Sequence, residues 1–343
     1  MRPPFSARKL LLPLVPAYRL ALALRQIGLR AGLEPVRRLR FPVVSVGSLS
    51  AGGAGKTPLT IALTQALERR GLRVNVLSRG YGRRSRQPAR VDPDGSAQEF
   101  GDEPLLIARQ TGVPVNVAGQ RFEAGLLAEA DRSADLRLGL HLLDDGFQHR
   151  QLHRDVDILL LDSRDWRDGL LPVGNLREPL KAARRASAIA IPAPGEDPGG
   201  APELEATLRA WGWQGPVWRL RRRMEVPAVD GPVVAFCGIA RPEQFFAGLE
   251  AAGLHIAARI AFPDHHRYTA RDLDRLVTTA RKTGAAALIT TEKDQVRLGT
   301  LAAAFPESLS LKTAGLRVEI EDEDEAVEWV VERIASRWNH SPL

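Results

Sequence analysis

The sequence predicts an α/β protein in which a doubly wound parallel sheet is followed by a second, smaller α/β domain. Three observations carry that expectation. Short runs rich in Val, Ile and Leu alternate with helical patterns from Pro42 onward, and strands apolar at nearly every position are what a parallel sheet covered on both faces requires. The chain has 343 residues, more than the ~100–200 of a usual single domain. Between two such α/β sets, "PAPGEDPGGAPE" (Pro192–Glu203) concentrates Pro and Gly, the composition of a boundary rather than of an element.

In order, the first set reads "PVVSV" from Pro42, a helix from Lys56 to about Arg70, "RVNVLS", "VPVNVA", "LGLHLLDD", "VDILLLD" and "ASAIAIPA". "WGWQGPVWRLRRRMEVPAVDGP" then reads as extended connecting chain. The second set has "PVVAFCGIA", a helix near Glu243 to Ala252, "HIAARIAF", a helix from about Ala270, "AALITTEKD", "LRVEI" and a last helix near Glu325 to Ser336. The expected division is an N-terminal amphipathic segment at 1–40, a nucleotide-binding type of domain at 41–200, a linker at 201–230 and a C-terminal α/β domain at 231–343.

Composition narrows the class. Hydrophobic residues make up 44% and charged residues 26%, with a mean hydropathy of −0.18, which excludes a polytopic membrane protein, a collagen-like repeat and a wholly disordered chain. Cys237 is the only cysteine, so neither an intrachain disulfide nor a Cys-rich metal site can form. The net charge of +7 favours anionic partners: nucleic acid, phosphates or an anionic membrane. Lysine occurs only at positions 9, 56, 181, 282, 293 and 312. Arginine is the default cation, so a lysine at a motif position stands out.

The apolar run Leu10–Leu24 is interrupted by Pro13, Pro16 and Arg19 and reads as too short to span a bilayer, which takes about 20 residues. Arg19 within the run also argues against a signal peptide. After Pro16 the pattern fits a helix with Leu20, Leu24 and Ile27 on one side and Arg19, Arg25 and Arg30 available to the other. Such a helix suits the headgroup region of an anionic membrane; packing on its own domain is the alternative.

The strongest chemical signal is "VVSVGSLSAGGAGKTP": an apolar strand, a Gly-rich turn, and Gly55-Lys56-Thr57 opening a helix. In a P-loop the backbone from Ser50 through Ala51, Gly52, Gly53, Ala54 and Gly55 curls around phosphates, Lys56 reaches the β- and γ-phosphates, and the Thr57 hydroxyl holds Mg²⁺. Ser50 stands where the consensus has Gly, with Gly52 and Gly53 available for flexibility. A P-loop enzyme also needs an acidic strand end near the metal. Asp144 and Asp145 end an apolar run and supply it, although the pair also fits a cap on the next turn. These features alone do not separate a kinase from a GTPase or an ATPase.

Further strings follow in order: "LSRGYGRRS", "GDEP", "LDDGFQHRQLHRDVDILLLD", "LLPVGNLREP", "FCGIARPEQF", "FPDHHRY" and "TTEKD". From about Pro42 to Asp294 the chain resembles the tetraacyldisaccharide 4′-kinases of the lipid A pathway in Gram-negative bacteria. It departs from them at Ser48, Asn175 and Ala240, where Asn, Pro and Gly are usual. The resemblance implies transfer of the ATP γ-phosphoryl group to the 4′-hydroxyl of a tetraacylated glucosamine disaccharide 1-phosphate, giving lipid IV A. It implies Asp102 and His265 acting together near the attacking hydroxyl, Asp144, Asp145 and Glu178 near Mg²⁺, and His149 close to them. It also implies an acceptor site formed by Arg79, Gly80 and Tyr81 with Arg121 and Arg177. An acylated disaccharide lipid and the cytoplasmic face of the inner membrane are the expected partners, with no nucleic acid and no obligate protein partner. Adjacent His265 and His266 without cysteines are poor zinc evidence.

Two other functions compete. A membrane-associated P-loop ATPase of the "KGGxGKT" type would also use the amphipathic N-terminus, but Ala51 occupies its signature lysine position. A nucleotide-gated binding module or nucleic-acid binder rests on charge alone, with no aromatic platform or recognition motif.

Overall fold

A computed structural model describes residues 8–52, 55–130, 139–196 and 201–339 of the chain. Its core is one mixed sheet of twelve strands: β1 (Val43–Ser48), β2 (Arg73–Ser78), β3 (Ala89–Arg90), β4 (Val115–Val117), β5 (Gly139–Asp144), β6 (Val156–Leu160), β7 (Ala188–Pro192), β8 (Val217–Glu225), β9 (Val233–Cys237), β10 (Ile256–Ala261), β11 (Ala287–Thr291) and β12 (Ser310–Ile320). They run β10-β9-β11-β12-β8-β7-β6-β1-β5-β2-β4-β3. Every residue of β1, β5, β6 and β7 is buried, as continuous apolar strands under helices on both faces must be. β1 lies parallel between β5 and β6. The strand order therefore reverses at β1, placing a crevice at its carboxyl end.

The second half, β10-β9-β11-β12, is also parallel, and β12 joins it to the first. Its first five residues pair with β11 and its last six pair antiparallel with β8. Thr291, which ends β11, lies opposite Ala314, and Glu225, which ends β8, lies opposite Gly315. The two half-sheets thus meet carboxyl end to carboxyl end, and Arg317 pairs with both Glu225 and Glu292 at the junction. This topology faces the loop ends of both halves toward one crevice.

Three segments differ from the sequence expectation. Residues 201–230, expected as a linker, contain the helix Ala201–Ala210 and strand β8. Along β8, Trp218 and Leu220 are buried while Arg219, Arg221 and Arg223 are exposed; a half-buried strand looks like charged connecting chain when the arginines dominate. The last helix, Glu323–Asn339, follows the second set in sequence yet packs on the first half. Its Val327, Val330 and Ile334 share a core with Leu59, Leu63 and Leu67 of the helix Lys56–Arg69. At the N-terminus a 3₁₀ turn, Lys9–Leu14, runs directly into the helix Val15–Arg30. Pro13 sits inside the 3₁₀ turn, and Pro16 sits in the first α-turn, where a missing N–H costs no helical bond. The stretch Leu10–Leu29 is consequently an unbroken helix long and apolar enough to cross a membrane, rather than an interrupted run.

Candidate active site

The P-loop leaves β1 after Ser48, and the helix Lys56–Arg69 begins behind Gly55. Gly52 and Gly55 have φ of 93° and 88°, conformations that favour residues without a Cβ. Ser50 is outside the left-handed region, so the consensus glycine is dispensable there. It is buried and pairs with Leu176 through an isolated bridge, while the Ala51 N–H donates to the Asn175 carbonyl at 2.8 Å. The "LPVGNLREP" string thus lies along the loop and fixes its path. Gly53 and Ala54 lie outside the described residues. Thr57 is buried at the second position of the helix.

Asp144 and Asp145 occupy the neighbouring strand end, in different environments. Asp144 is buried, and its Oδ1 accepts from the Thr60 hydroxyl at 3.0 Å. Burial, with Glu103 and Asp145 adding like charge, pushes its carboxyl up to about 7. Asp145 takes a positive φ of 51°, which turns its side chain toward cations. Lys56 Nζ is 3.7 Å away, and the Arg177 guanidinium donates to both of its oxygens at 2.9 and 2.7 Å. Burial disfavours this carboxylate, but Lys56, Arg177 and Arg121 outweigh it and hold the group well below the usual range. An oxygen-only set of Thr57, Asp144 and Asp145, crowded with negative charge, fits a hard dication such as Mg²⁺. Among the described residues no three His, Cys, Asp or Glu side chains form a ready cage. Mg²⁺ commonly completes its shell with phosphate and water. Glu178, expected near the metal, lines one cavity with Asp144 and Asp145, and both its carboxylate oxygens accept from Arg185 at 2.8 and 3.1 Å, as those of Asp145 do from Arg177.

Across the crevice, His265 Nδ1 lies 3.0 Å from Asp102 Oδ2, although the two are 163 positions apart. Asp102 opens the helix Asp102–Thr111 after Gly101. A Cβ on Gly101 would stand 3.0 Å from the Gly80 backbone, so the "SRGYG" and "GDEP" strings need their glycines to touch. His265 has φ of 57°; it and Asp145 are the two non-glycine residues with positive φ among the described residues, and both face this crevice. Its ring packs against that of Tyr81, with centroids 5.1 Å apart. Burial opposes ionisation of Asp102, but the hydrogen bond to His265 and the charges of Arg297, His265 and Lys293 hold its carboxyl below the usual range. The hydrogen bond to Asp102 in turn raises the His265 imidazole despite burial.

One cavity of about 930 Å³ joins these groups: Lys56, Asp144, Asp145, Arg79, Tyr81, Arg121, His149, Arg177 and His265 all line it. Burial and the charges of Arg121, Arg154, Arg25 and Arg79 push the His149 imidazole down to about 3. His149, expected among the catalytic residues, is therefore neutral near pH 7. Tyr18, Leu22 and Arg25 of the N-terminal helix complete the wall, tied by Tyr18 Oη donating to the Arg177 carbonyl at 2.9 Å and Arg25 donating to the Gln148 carbonyl at 2.9 Å.

Several participants escaped the motif reading. Lys293 Nζ meets Glu103 Oε1 at 2.7 Å, and Arg297 Nε donates to Asp102 Oδ2 at 2.6 Å. Both side chains come from the helix Glu292–Leu298. The scarcity of lysine was a usable signal for Lys293. Arg297, one arginine among many, had none.

The family model described as tetraacyldisaccharide-1-P 4′-kinase (LpxK) matches residues 7–335. The chain belongs to this family. A tetraacyldisaccharide 4′-kinase of Koribacter versatilis is 40% identical over 338 residues, covering 95% of this chain and 99% of the relative. One from Anaeromyxobacter dehalogenans is 42% identical over 311 residues, covering 84% and 80%. The crystal structure of LpxK from Aquifex aeolicus in complex with ATP superimposes with a TM-score of 0.74 at 31% identity, covering 96% of this chain and 99% of that one. The chain is thus a lipid A 4′-kinase that uses ATP with Mg²⁺, on a P-loop α/β fold.

Proposed function

We propose a division of labour within this tetraacyldisaccharide 4′-kinase crevice. Lys56 and the P-loop amides hold the ATP phosphates. Thr57, Asp144 and Asp145 hold Mg²⁺, which when bound neutralises charge on the transferring phosphoryl group. The Asp102–His265 pair receives the proton of the acceptor 4′-hydroxyl. Asp102 accepts from Nδ1–H, which leaves Nε2 as the basic atom. Arg25, Arg79 and Arg121 with neutral His149 form an anion pocket for the acceptor's 1-phosphate, where arginine forks suit phosphate oxygens. Arg177, engaged with Asp145, orients that carboxylate.

The observation that carries this reading is that one cavity brings His265 from the second half opposite Lys56 and Asp145 of the first, with Asp102 hydrogen-bonded to His265. The N-terminal helix adds the route of entry. Its Tyr18, Leu22 and Arg25 line the cavity, while Leu10, Leu20, Leu24 and Ile27 are more than half exposed. An apolar outer face beside the cavity mouth fits a peripheral position on an anionic bilayer, here the cytoplasmic face of the inner membrane, with the acyl chains left in the lipid.

The test is mass spectrometry of the product formed from ATP, Mg²⁺ and a tetraacylated disaccharide 1-phosphate. One added phosphate, mapped to the non-reducing sugar, is expected. ATP hydrolysis equally fast without the acceptor would overturn the reading in favour of a membrane-associated ATPase.

A further inference from the structure

Arg297 is nearly buried, with 6% of its side chain exposed, and it touches its own helix and three other segments. Its Nε donates to Asp102 Oδ2 at 2.6 Å, its NH1 donates to Asp294 Oδ1 at 2.9 Å and to the Gly238 carbonyl, and its NH2 lies 3.3 Å from His265 Nδ1. Three of these partners belong to the second half and one, Asp102, to the first. Asp102 Oδ1 meanwhile accepts from the Glu103 N–H at 3.0 Å. The carboxylate that faces His265 is therefore fixed at both oxygens, and its orientation depends on a guanidinium delivered from across the crevice.

This arrangement has two chemical consequences. A carboxylate at 3.0 Å from Nδ1 requires a proton there, since two lone pairs would repel, and Arg297 keeps that carboxylate ionised and unable to take the proton itself. The guanidinium NH2 beside Nδ1 also places positive charge next to the ring. The carboxylate raises the imidazole and the neighbouring guanidinium opposes part of that rise; with the proton fixed at Nδ1, Nε2 is the basic atom. The other groups facing the pair are Asp264, 4.0 Å from Nε2, the Tyr81 ring and the Lys293 charge acting on Asp102. Among these Arg297 is the cation that contacts both members.

We propose that Arg297 is a positioning residue for phosphoryl transfer: it orients Asp102 and sets the Nδ1–H tautomer of His265, so that Nε2 carries the lone pair that receives the acceptor hydroxyl proton. The assignment rests on the reading of Asp102 and His265 as the proton-accepting pair.

The experiment uses the full-length protein with ATP, Mg²⁺ and detergent-dispersed acceptor. Arg297→Gln lowers kcat by roughly 10–100-fold, within what a general base contributes, with little change in the KM for ATP. The acidic limb of its kcat–pH profile moves to higher pH by about one unit, because the imidazolium has lost a neighbouring cation. Arg297→Lys keeps charge without the fork, so its limb returns toward wild type while kcat stays below it. ¹⁵N spectra of histidine-labelled wild-type protein, with His265 assigned through His265→Gln, show Nδ1 protonated in the neutral ring; this reading needs no Arg297 variant to fold. An Nε2–H tautomer overturns the assignment, as does an Arg297→Gln protein with wild-type kcat and an unmoved limb while Asp102→Ala and His265→Ala are impaired. Near wild-type kcat in Asp102→Ala and His265→Ala would instead overturn the underlying base assignment.

Discussion

Lys56 is 10% exposed and its ammonium lies 3.7 Å from Asp145, so its charge serves the crevice and contributes little to the core. Lys56→Ala is expected to lower phosphoryl transfer by at least roughly 10²–10³-fold, the scale for losing one preorganised charge-stabilising group. Its thermal unfolding should stay near wild type; a fully active variant would remove the P-loop lysine from the chemistry. Asp102→Ala and His265→Ala should each lower kcat by roughly 10²–10⁴-fold. The double variant should be little worse than the poorer single one, because groups acting as a unit are non-additive; multiplicative losses would show independent roles. The pair also sets a pH dependence. A base works as the neutral ring, and the His265 imidazole is raised above its ordinary 6.5. Activity should therefore fall as pH drops through a value above 6.5, measured as kcat at saturating acceptor; a midpoint below 6.5 would contradict the hydrogen bond as its cause. At this scale legibility followed locality. "GKT" and "DDGFQHR" announce Lys56 and Asp145 within a few positions, whereas Arg297 acts on a residue 195 positions away and has no local string to announce it.

Among the elements, the helix Val15–Arg30 divides its duties by face. Tyr18 and Leu22 pack inward beside the cavity, while Leu20 and Leu24 are 61% and 58% exposed. Burying a leucine is worth up to about 1.5–3 kcal/mol, so Leu20→Glu with Leu24→Glu should abolish co-sedimentation with anionic vesicles. Turnover of detergent-dispersed acceptor should persist in that variant, since neither side chain lines the site; unchanged sedimentation would move the anchor elsewhere. The sequence already carried this periodicity, because exposed leucines spaced by four need no tertiary information. It did not reveal that Pro13 is carried inside a 3₁₀ turn that runs straight into this helix. That outcome depends on where the first turn falls, which a residue pattern locates only loosely. The strand ends were legible for a related reason: β1, β5 and β6 are buried on both faces and read as mainly apolar runs, with few polar residues such as Ser45, His141 and Asp157 among them.

At the scale of the molecule the first half is incomplete without the end of the chain. β8 pairs with β12, and Val327, Val330 and Ile334 fill the core beside the helix Lys56–Arg69. A fragment spanning 41–230 is therefore expected to be insoluble or molten, whereas adding a second polypeptide of residues 231–343 should restore a cooperative unfolding transition. A well-folded 41–230 fragment, judged by dispersed amide resonances, would show that the returning segment is an accessory. This dependence was illegible because sequence order and spatial order part company after β11. The run "LRVEI" looks like one more strand of its own set, and nothing in it declares that its partner lies in the other half.

That returning strand also has a consequence for synthesis in time. Glu225 of β8 and Gly315 of β12 are paired neighbours, so 90 further residues (315 − 225) must be made before β8 acquires its partner. At about 5–20 residues per second a ribosome takes roughly 5–18 s over them. Throughout that interval the nascent chain presents β8 as an open sheet edge, the kind of surface that templates wrong pairings. The alternating Arg219, Arg221 and Arg223, exposed along this strand in the finished fold, repel a second copy of the same edge during the wait. In the finished fold Arg219 pairs with Glu205 and Arg221 with Glu321, and the second of these partners is itself made only after the wait.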